Sequence, residues 1–314
     1  MLQVLGLVVP LFGLVVLGYI SGRVRRIPVE GLAWLNFFIV YIALPALFFR
    51  LLSRTPVEEF GNTAFLAATT AVTFIVFWVC VLIGRMRRGG DIREAAIQGF
   101  AGSYGNIGYM GPPLALAAFG PEAGVPVALV FCIDNAMHFA HAPLLMALGG
   151  EKGASMPRLL GGILWKIVSH PFIIATAVGI TAAVYAWQPP QPINELLERL
   201  SAATAPCALF AMGVTAALRP LKHVPVELVW LVPVKLVVHP LVMYLVVSQI
   251  PGVPPVWLHS AVLLAALPTA TNVFVIAQSY DVWKERASSA VVISTLLSIV
   301  TVTGFLYLVQ EGIV

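Results

Sequence analysis

Apolar stretches of membrane length constrain this chain more than any other feature. A helix that crosses a bilayer needs roughly 20 mostly apolar residues. The sequence divides into about ten such segments, near 2–21, 32–52, 62–84, 95–119, 124–148, 160–187, 196–218, 225–249, 256–280 and 287–309. Only 10% of the 314 residues are charged, against roughly 25% in soluble domains. We therefore predict an all-α polytopic membrane protein, and exclude an ordinary soluble enzyme, a disulfide-rich secreted domain and a nucleic-acid-binding protein.

The basic residues alternate between loops and predict an orientation. Most of the Lys and Arg residues lie in or near the loops after the odd-numbered segments: Arg23, Arg25, Arg26, Arg85, Arg87, Arg88, Arg93, Lys152, Arg158, Lys166, Arg219, Lys222, Lys284 and Arg286. Positively charged loops stay in the cytoplasm. Both termini are therefore predicted to be extracytoplasmic.

The ten segments divide into two halves of five, residues 1–150 and 159–314. If the halves are repeats of each other, they have opposite orientations in the membrane, because each contains an odd number of helices. The second and seventh segments share a similar stretch, ALPALF at 43–48 and APCALF at 205–210. Weak internal similarity of this kind is typical of transporters built from inverted repeats. Similarity of composition alone is the alternative.

The fourth and ninth segments, at matching positions of the two halves, are rich in helix-breaking residues. Gly and Pro weaken or interrupt helices, and unwound backbone inside a bilayer must line protein or a water-filled cavity. Paired interruptions of this kind point to a transport site. The predicted substrate-binding residues of the two segments are Asn106, Gly108, Pro112, Pro113, Pro268, Thr269, Thr271 and Asn272. The proline pair is expected to push Pro112 out of helical geometry; simple proline kinks are the alternative.

Ionisable side chains inside the segments are costly and usually functional. Asp134, His138 and His141 are spaced i, i+4 and i+7 and so share one helical face. This face is a candidate proton relay or cation site, although hydrogen-bonded packing is the alternative for each histidine. No Cys or His spacing fits a structural zinc site, so no metal is predicted.

The eighth segment adds Lys235 and His239 in the sequence KLVVHP. Lys235 lies about ten residues into its span, too deep to reach the interface easily. It is predicted to be a buried countercharge for a substrate carboxylate or for Asp134, and His239 joins the candidate set for H⁺ or Na⁺ coupling. Lys166 lies close to a basic loop and is expected to extend to the interface.

Three stretches, GNIGYMGPPL at 105–114, KLVVHP at 235–240 and LPTATNVFVIAQSY at 267–280, resemble the auxin efflux carrier family in its bacterial form. The resemblance covers nearly the whole chain. It implies the fold of the superfamily of bile-acid symporters and sodium/proton antiporters, with two inverted five-helix repeats and broken fourth and ninth helices that cross at Asn106, Pro112 or Pro113, Pro268 and Asn272. Spans 1, 2, 6 and 7 would form a scaffold, and spans 3–5 and 8–10 a moving core.

The resemblance further implies a secondary transporter in the bacterial inner membrane, and a homodimer. Plant members carry an aromatic carboxylate, and bacterial members are linked to malonate or malate. This chain lacks the long central loop of many plant carriers. The expected function is therefore elevator-type transport of a small carboxylate, without a cofactor. An intramembrane enzyme, for which no nucleophile with an activating base is evident, and a channel-like facilitator are the alternatives.

Overall fold

The described part of the protein is helical throughout. This computed structural model describes residues 2–25, 28–87, 91–150, 156–218 and 224–313, and these ranges contain no strand. Five of the basic residues that predict the orientation lie outside them: Arg26, Arg88, Lys152, Arg219 and Lys222.

Thirteen α-helices follow one another within the described ranges. They are α1 (Leu2–Arg25), α2 (Ala33–Leu52), α3 (Thr63–Arg87), α4 (Ile92–Ser103), α5 (Ile107–Phe119), α6 (Gly124–Leu148), α7 (Met156–Val168), α8 (Pro171–Val184), α9 (Gln191–Leu218), α10 (Leu228–Val247), α11 (Pro255–Ala266), α12 (Thr271–Ser279) and α13 (Lys284–Gln310). Short 3₁₀ turns occupy Val29–Leu32, Val57–Gly61 and Pro121–Ala123. A π-helical turn interrupts α2 at Ile39–Ala43 and α10 at Val234–Val238.

Six helices within the described ranges are long and apolar enough to cross a membrane: α2, α3, α6 with its preceding turn, α9, α10 and α13. The pair α7 and α8, bent by 55° before Pro171, would make a seventh. The chain is therefore a multi-pass membrane protein. The count of ten spans stays a prediction, because α4, α5, α11 and α12 are each too short to cross alone.

Both predicted interruptions are present. The first separates α4 from α5 at Tyr104–Asn106, where Tyr104 is extended (φ −76°, ψ 100°). The second separates α11 from α12 at 267–270, where both Leu267 and Ala270 are extended. Pro268 lies in this second gap, as expected.

The expectation for Pro112 and Pro113 is wrong. Both residues lie inside α5 and are buried. A proline in a helix has no N–H to donate to the carbonyl four residues earlier. Here the carbonyl oxygens of Gly108 and Tyr109, in the first turn of α5, lose that hydrogen bond. Transmembrane helices tolerate such losses. The interruption of this segment lies at Tyr104–Asn106 and not at the prolines.

Two groups of helices make the most extensive contacts, and they also touch each other. In the first, α1 packs along α9, and α2 packs on α8 and α9. Gly18 and Gly213 allow the α1–α9 approach, because a Cβ on either would overlap the backbone of the other helix. In the second group, α3 packs on α4 and α10, α10 packs on α11, and α12 packs on α13. Helix α6 contacts α4, α5 and α11 of this second group.

Candidate functional site

The two interrupted segments meet and pair with each other. The backbone N–H of Asn106 donates to Pro268 O at 2.8 Å, and the N–H of Ala270 donates to Tyr104 O at 2.8 Å. These two bonds make a short antiparallel bridge between Gly105 and Thr269. The pairing satisfies backbone groups that the helix breaks would otherwise leave exposed inside a membrane. We call this contact the crossing.

Gly105 and Thr269 make the crossing geometrically feasible. A Cβ on Gly105 would lie 2.9 Å from Leu264 O, so only glycine fits without movement of the second segment. The Thr269 hydroxyl donates to Ala101 O at 2.8 Å near the end of α4, and the Thr269 N–H donates to the Ser294 hydroxyl at 3.0 Å. Thr269 is therefore a buried strut and does not line the cavity described next.

A cavity of about 690 Å³ adjoins the crossing. Of the eight predicted binding positions in the two segments, Asn106, Gly108, Thr271 and Asn272 line the cavity, whereas Pro268 does not. Pro112, Pro113 and Thr269 also lie outside its lining. Helix α2 contributes Tyr41 to the wall, and α6 contributes Phe139.

A chain of hydrogen bonds joins the second segment to α6 through Tyr104. The Asn272 Nδ2 group donates to the Tyr104 hydroxyl at 3.0 Å, and that hydroxyl donates to Asn135 Oδ1. Asn135 in turn donates to Phe131 O at 2.8 Å. Tyr104 and Asn135 both line the cavity, but sequence reasoning did not select them. Their positions, inside the first break and next to Asp134, were the available signals.

Two further hydrogen bonds connect the crossing to the first helix group. The Asn106 side chain donates to Met212 Sδ of α9 at 3.1 Å. The Tyr109 hydroxyl donates to Asn36 Oδ1 of α2 at 3.0 Å. Asn106 lines the cavity but is only 3% exposed, so little of its surface is in contact with solvent.

One face of α7 supplies positive charge to the cavity. Arg158 and Lys166, eight residues apart, both line it. The Lys166 ammonium lies 5.3 Å from the centre of the Phe139 ring. Within the described residues neither cation forms an ion pair closer than 4.0 Å, and both side chains are exposed. The sequence predicts a loop position for Arg158 and an interface position for Lys166, and it does not predict that either lines the cavity.

Asp134 and His138 lie against the crossing but outside the cavity lining. The His138 ring donates to Asp134 O at 2.6 Å, and its other nitrogen is 3.2 Å from the Ser103 hydroxyl at the end of α4. The Tyr104 ring stacks on the His138 ring with centroids 4.1 Å apart. His141 is half-buried and donates to Met137 O at 2.7 Å, with its ring against Phe77.

Lys235 is fully buried, at 0% exposure, in the π-helical turn of α10. Its ammonium donates to Ala265 O at 2.5 Å and lies 3.5 Å from His239 Nδ1. His239 Nε2 is 3.5 Å from the Thr73 hydroxyl. Neither Lys235 nor His239 lines the cavity. Among the described residues, no ion pair within 4.0 Å joins Lys235 to Asp134, and no group of three metal-ligating side chains occurs.

A family model for membrane transport proteins matches residues 3–306, almost the whole chain. The chain belongs to the auxin efflux carrier family of membrane transport proteins. The protein is therefore a membrane transporter, as the family resemblance of the sequence predicted.

Relatives at different levels of sequence identity support this assignment. A Rhizobium meliloti protein named "Putative malonate transporter" is 53% identical over 312 residues, which are 99% of this chain and 98% of the relative. The uncharacterized transporter YfdV of Escherichia coli is 24% identical over 96% of both chains. Auxin efflux carrier component 1 of Arabidopsis thaliana is 31% identical over 151 residues, 46% of this chain and 24% of the relative.

In this transporter, two half-helices begin at the same cavity. Gly108 lies in the first turn of α5, and Thr271 and Asn272 lie in the first turn of α12; all three line the cavity. The first N–H groups of a helix have no acceptor within that helix, and its N-terminus carries partial positive charge. Two such ends beside two cationic side chains suit an anion.

Proposed function

We propose that this protein is a secondary carrier of a small organic anion, a mono- or dicarboxylate. The observation that carries the proposal is the convergence of two half-helix N-termini on one cavity that Arg158 and Lys166 also line. Each of these features favours negative charge through helix dipoles or full charges. Malonate is the first candidate substrate, because the 53% identical relative is named for malonate transport.

We propose that the substrate carboxylate binds at the crossing. First-turn N–H groups of α5 and α12 would donate to it, and the amides of Asn106 and Asn272 would add donors. Tyr104 holds the Asn272 amide in place through a 3.0 Å hydrogen bond. Arg158 and Lys166, which also line the cavity, would attract anions into it.

The proposed architecture is that of ten spans in two inverted repeats, residues 1–150 and 159–314. The antiparallel pairing of the two interruptions supports an inverted relation between the fourth and ninth spans. The proposed scaffold comprises spans 1, 2, 6 and 7, which correspond to α1, α2, α7 with α8, and α9; the core comprises spans 3–5 and 8–10. The extensive packing of α1, α2, α8 and α9 on one another supports this division, whereas α7 packs mainly on α6 of the proposed core.

Transport is proposed to follow an elevator-type cycle in which the core slides against the scaffold. The hydrogen bonds from Asn106 to Met212 and from Tyr109 to Asn36 join the proposed core to the proposed scaffold. They would have to break in each cycle. They therefore belong to one end state of the proposed movement.

The cavity of this end state is proposed to open to the cytoplasm. Arg158 and Ser279 line it and lie near loops that the charge pattern places inside. The protein would reside in the bacterial inner membrane as a homodimer, with both termini extracytoplasmic. For ion coupling, Asp134, His138, His141 and His239 remain the proposed proton route, since Asp134, His138 and His239 are buried beside the crossing.

Thermal unfolding of the purified protein with a panel of mono- and dicarboxylates tests the binding step. A ligand at about 100 times its Kd stabilises the folded state by ~2.7 kcal/mol, so malonate should raise the melting temperature by several degrees. We expect Asn272→Ala to remove this rise while leaving the ligand-free melting temperature nearly unchanged.

Counterflow of labelled malonate in proteoliposomes tests the transport step. We expect the label to cross chemically unchanged and more slowly than through a pore. Label converted to another compound would instead indicate an enzyme, and macroscopic currents would indicate a channel. If no carboxylate stabilises or crosses, the proposed substrate class is wrong.

A further inference from the structure

Lys235 places its side-chain nitrogen at the end of a half-helix. Its ammonium donates to Ala265 O at 2.5 Å, and Ala265 is the second-last residue of α11. The last carbonyl groups of a helix have no partner within it and carry partial negative charge. The ammonium therefore caps the C-terminus of α11.

The same ammonium lies beside the first interruption. A Cβ on Gly105 would lie 3.5 Å from Lys235 Nζ and 2.9 Å from Leu264 O. Lys235 thus occupies the place where the carbonyl end of α11 meets the backbone of the first segment. Because its side chain is completely buried and does not line the cavity, it does not contact a substrate there.

One contact of Lys235 offsets a positive charge on its side chain. A buried charge is strongly unfavourable unless charges or dipoles of opposite sign compensate it. Here Ala265 O, at the negative end of α11, accepts a hydrogen bond from Lys235 Nζ, and His239 of the same helix as Lys235 lies 3.5 Å away. The π-helical turn Val234–Val238 sets the position of the side chain along α10.

We propose that the Lys235 ammonium is the resident cation of the crossing and makes transport independent of Na⁺. In transporters with broken helices, unwound carbonyls and half-helix C-termini are the groups that coordinate Na⁺. Here the tethered ammonium already holds that carbonyl end. A second cation at Ala265 O would meet a like charge at close range in a low-dielectric region.

The fixed charge also affects the anion, and in this respect the inference rests on the proposed function. Four half-helix ends meet at the crossing: the C-termini of α4 and α11 and the N-termini of α5 and α12. Lys235 offsets the negative end of α11. The positive ends at the cavity then dominate, which favours a carboxylate. The inference requires the charge of Lys235, not only its volume.

The experiment compares the wild type with Lys235→Ala, which vacates the position, and Lys235→Arg, which keeps the charge. Melting is measured without substrate in NaCl and in N-methyl-D-glucamine chloride at equal ionic strength. We expect no Na⁺-specific stabilisation of the wild type or Lys235→Arg. Lys235→Ala should be stabilised by Na⁺, because the free carbonyl end then accepts it.

Malonate binding and counterflow provide the second readout. Wild-type counterflow should be the same in both salts. The apparent malonate affinity should fall by about tenfold in Lys235→Ala without Na⁺, as expected for loss of one charge-assisted interaction, and should recover partly in NaCl. Lys235→Arg should bind malonate more tightly than Lys235→Ala in the Na⁺-free buffer.

Three results would overturn the inference: Na⁺-dependent counterflow of the wild type, Na⁺-specific stabilisation of the wild type, or a Lys235→Ala protein indifferent to Na⁺. If Lys235→Ala does not fold, Lys235→Gln replaces it with the same readouts. Failure of the proposed function looks different, because no carboxylate would then bind the wild type, while the salt dependence of melting would still test Lys235.

Discussion

At the residue scale, Tyr104 is the side chain that links the crossing to its surroundings. Its hydroxyl accepts from Asn272 at 3.0 Å and donates to Asn135, and its ring stacks on His138. The residue itself is 2% exposed. It therefore orders the amide of Asn272 at the cavity and also contacts the buried histidine outside it.

We expect Tyr104→Phe to weaken malonate binding by about fivefold to tenfold, since it removes the partner of two amides while keeping the ring. The loss should appear in the malonate-dependent rise in melting temperature. Tyr41→Phe is the matched control: Tyr41 also lines the cavity, is 57% exposed and makes no hydroxyl hydrogen bond to a described residue. Equal effects of both substitutions would contradict this role of Tyr104.

At the element scale, the two broken helices act as one unit. Their breaks exchange two backbone hydrogen bonds of 2.8 Å, and Thr269 ties the second break to α4. The unit depends on close approach at Gly105, because Leu264 O fills the space that a side chain would need.

Gly105→Ala should destabilise the protein by about 1–3 kcal/mol, the usual cost of overpacking, and should abolish malonate counterflow. Backbone at the crossing would have to shift, so both melting temperature and flux report on it. Gly304→Ala in α13 is the control, because a Cβ there meets nothing within 4 Å. Normal flux with Gly105→Ala would show that the close approach is not needed.

At the scale of the whole molecule, the proposed elevator movement depends on the contacts between the two helix groups. Gly18 and Gly213 bring α1 and α9 of the first group into close contact. The second group carries the crossing, and the bonds from Asn106 and Tyr109 join the two groups.

The proposed orientation predicts one-sided labelling. Ser279→Cys lines the cavity and Gln249→Cys lies in the exposed loop after α10; Cys207, which is partly accessible, is replaced by Ser in both. A membrane-impermeant maleimide should label Ser279→Cys only from the cytoplasmic face, and malonate should slow this reaction. Gln249→Cys should react from the opposite face only. The reverse pattern would show that the orientation is inverted.

The sequence by itself determined the membrane class, the family and the two interruptions, because these depend on local composition and on chemistry that lipid imposes on every backbone. Only the tertiary structure decided that Pro112 and Pro113 stay helical, that Thr269 is a strut, and that Arg158 and Lys166 reach the cavity. The same holds for Lys235, which is bonded to Ala265 thirty residues away. Such pairings depend on how distant helices pack, and neither hydropathy nor spacing encodes that distance.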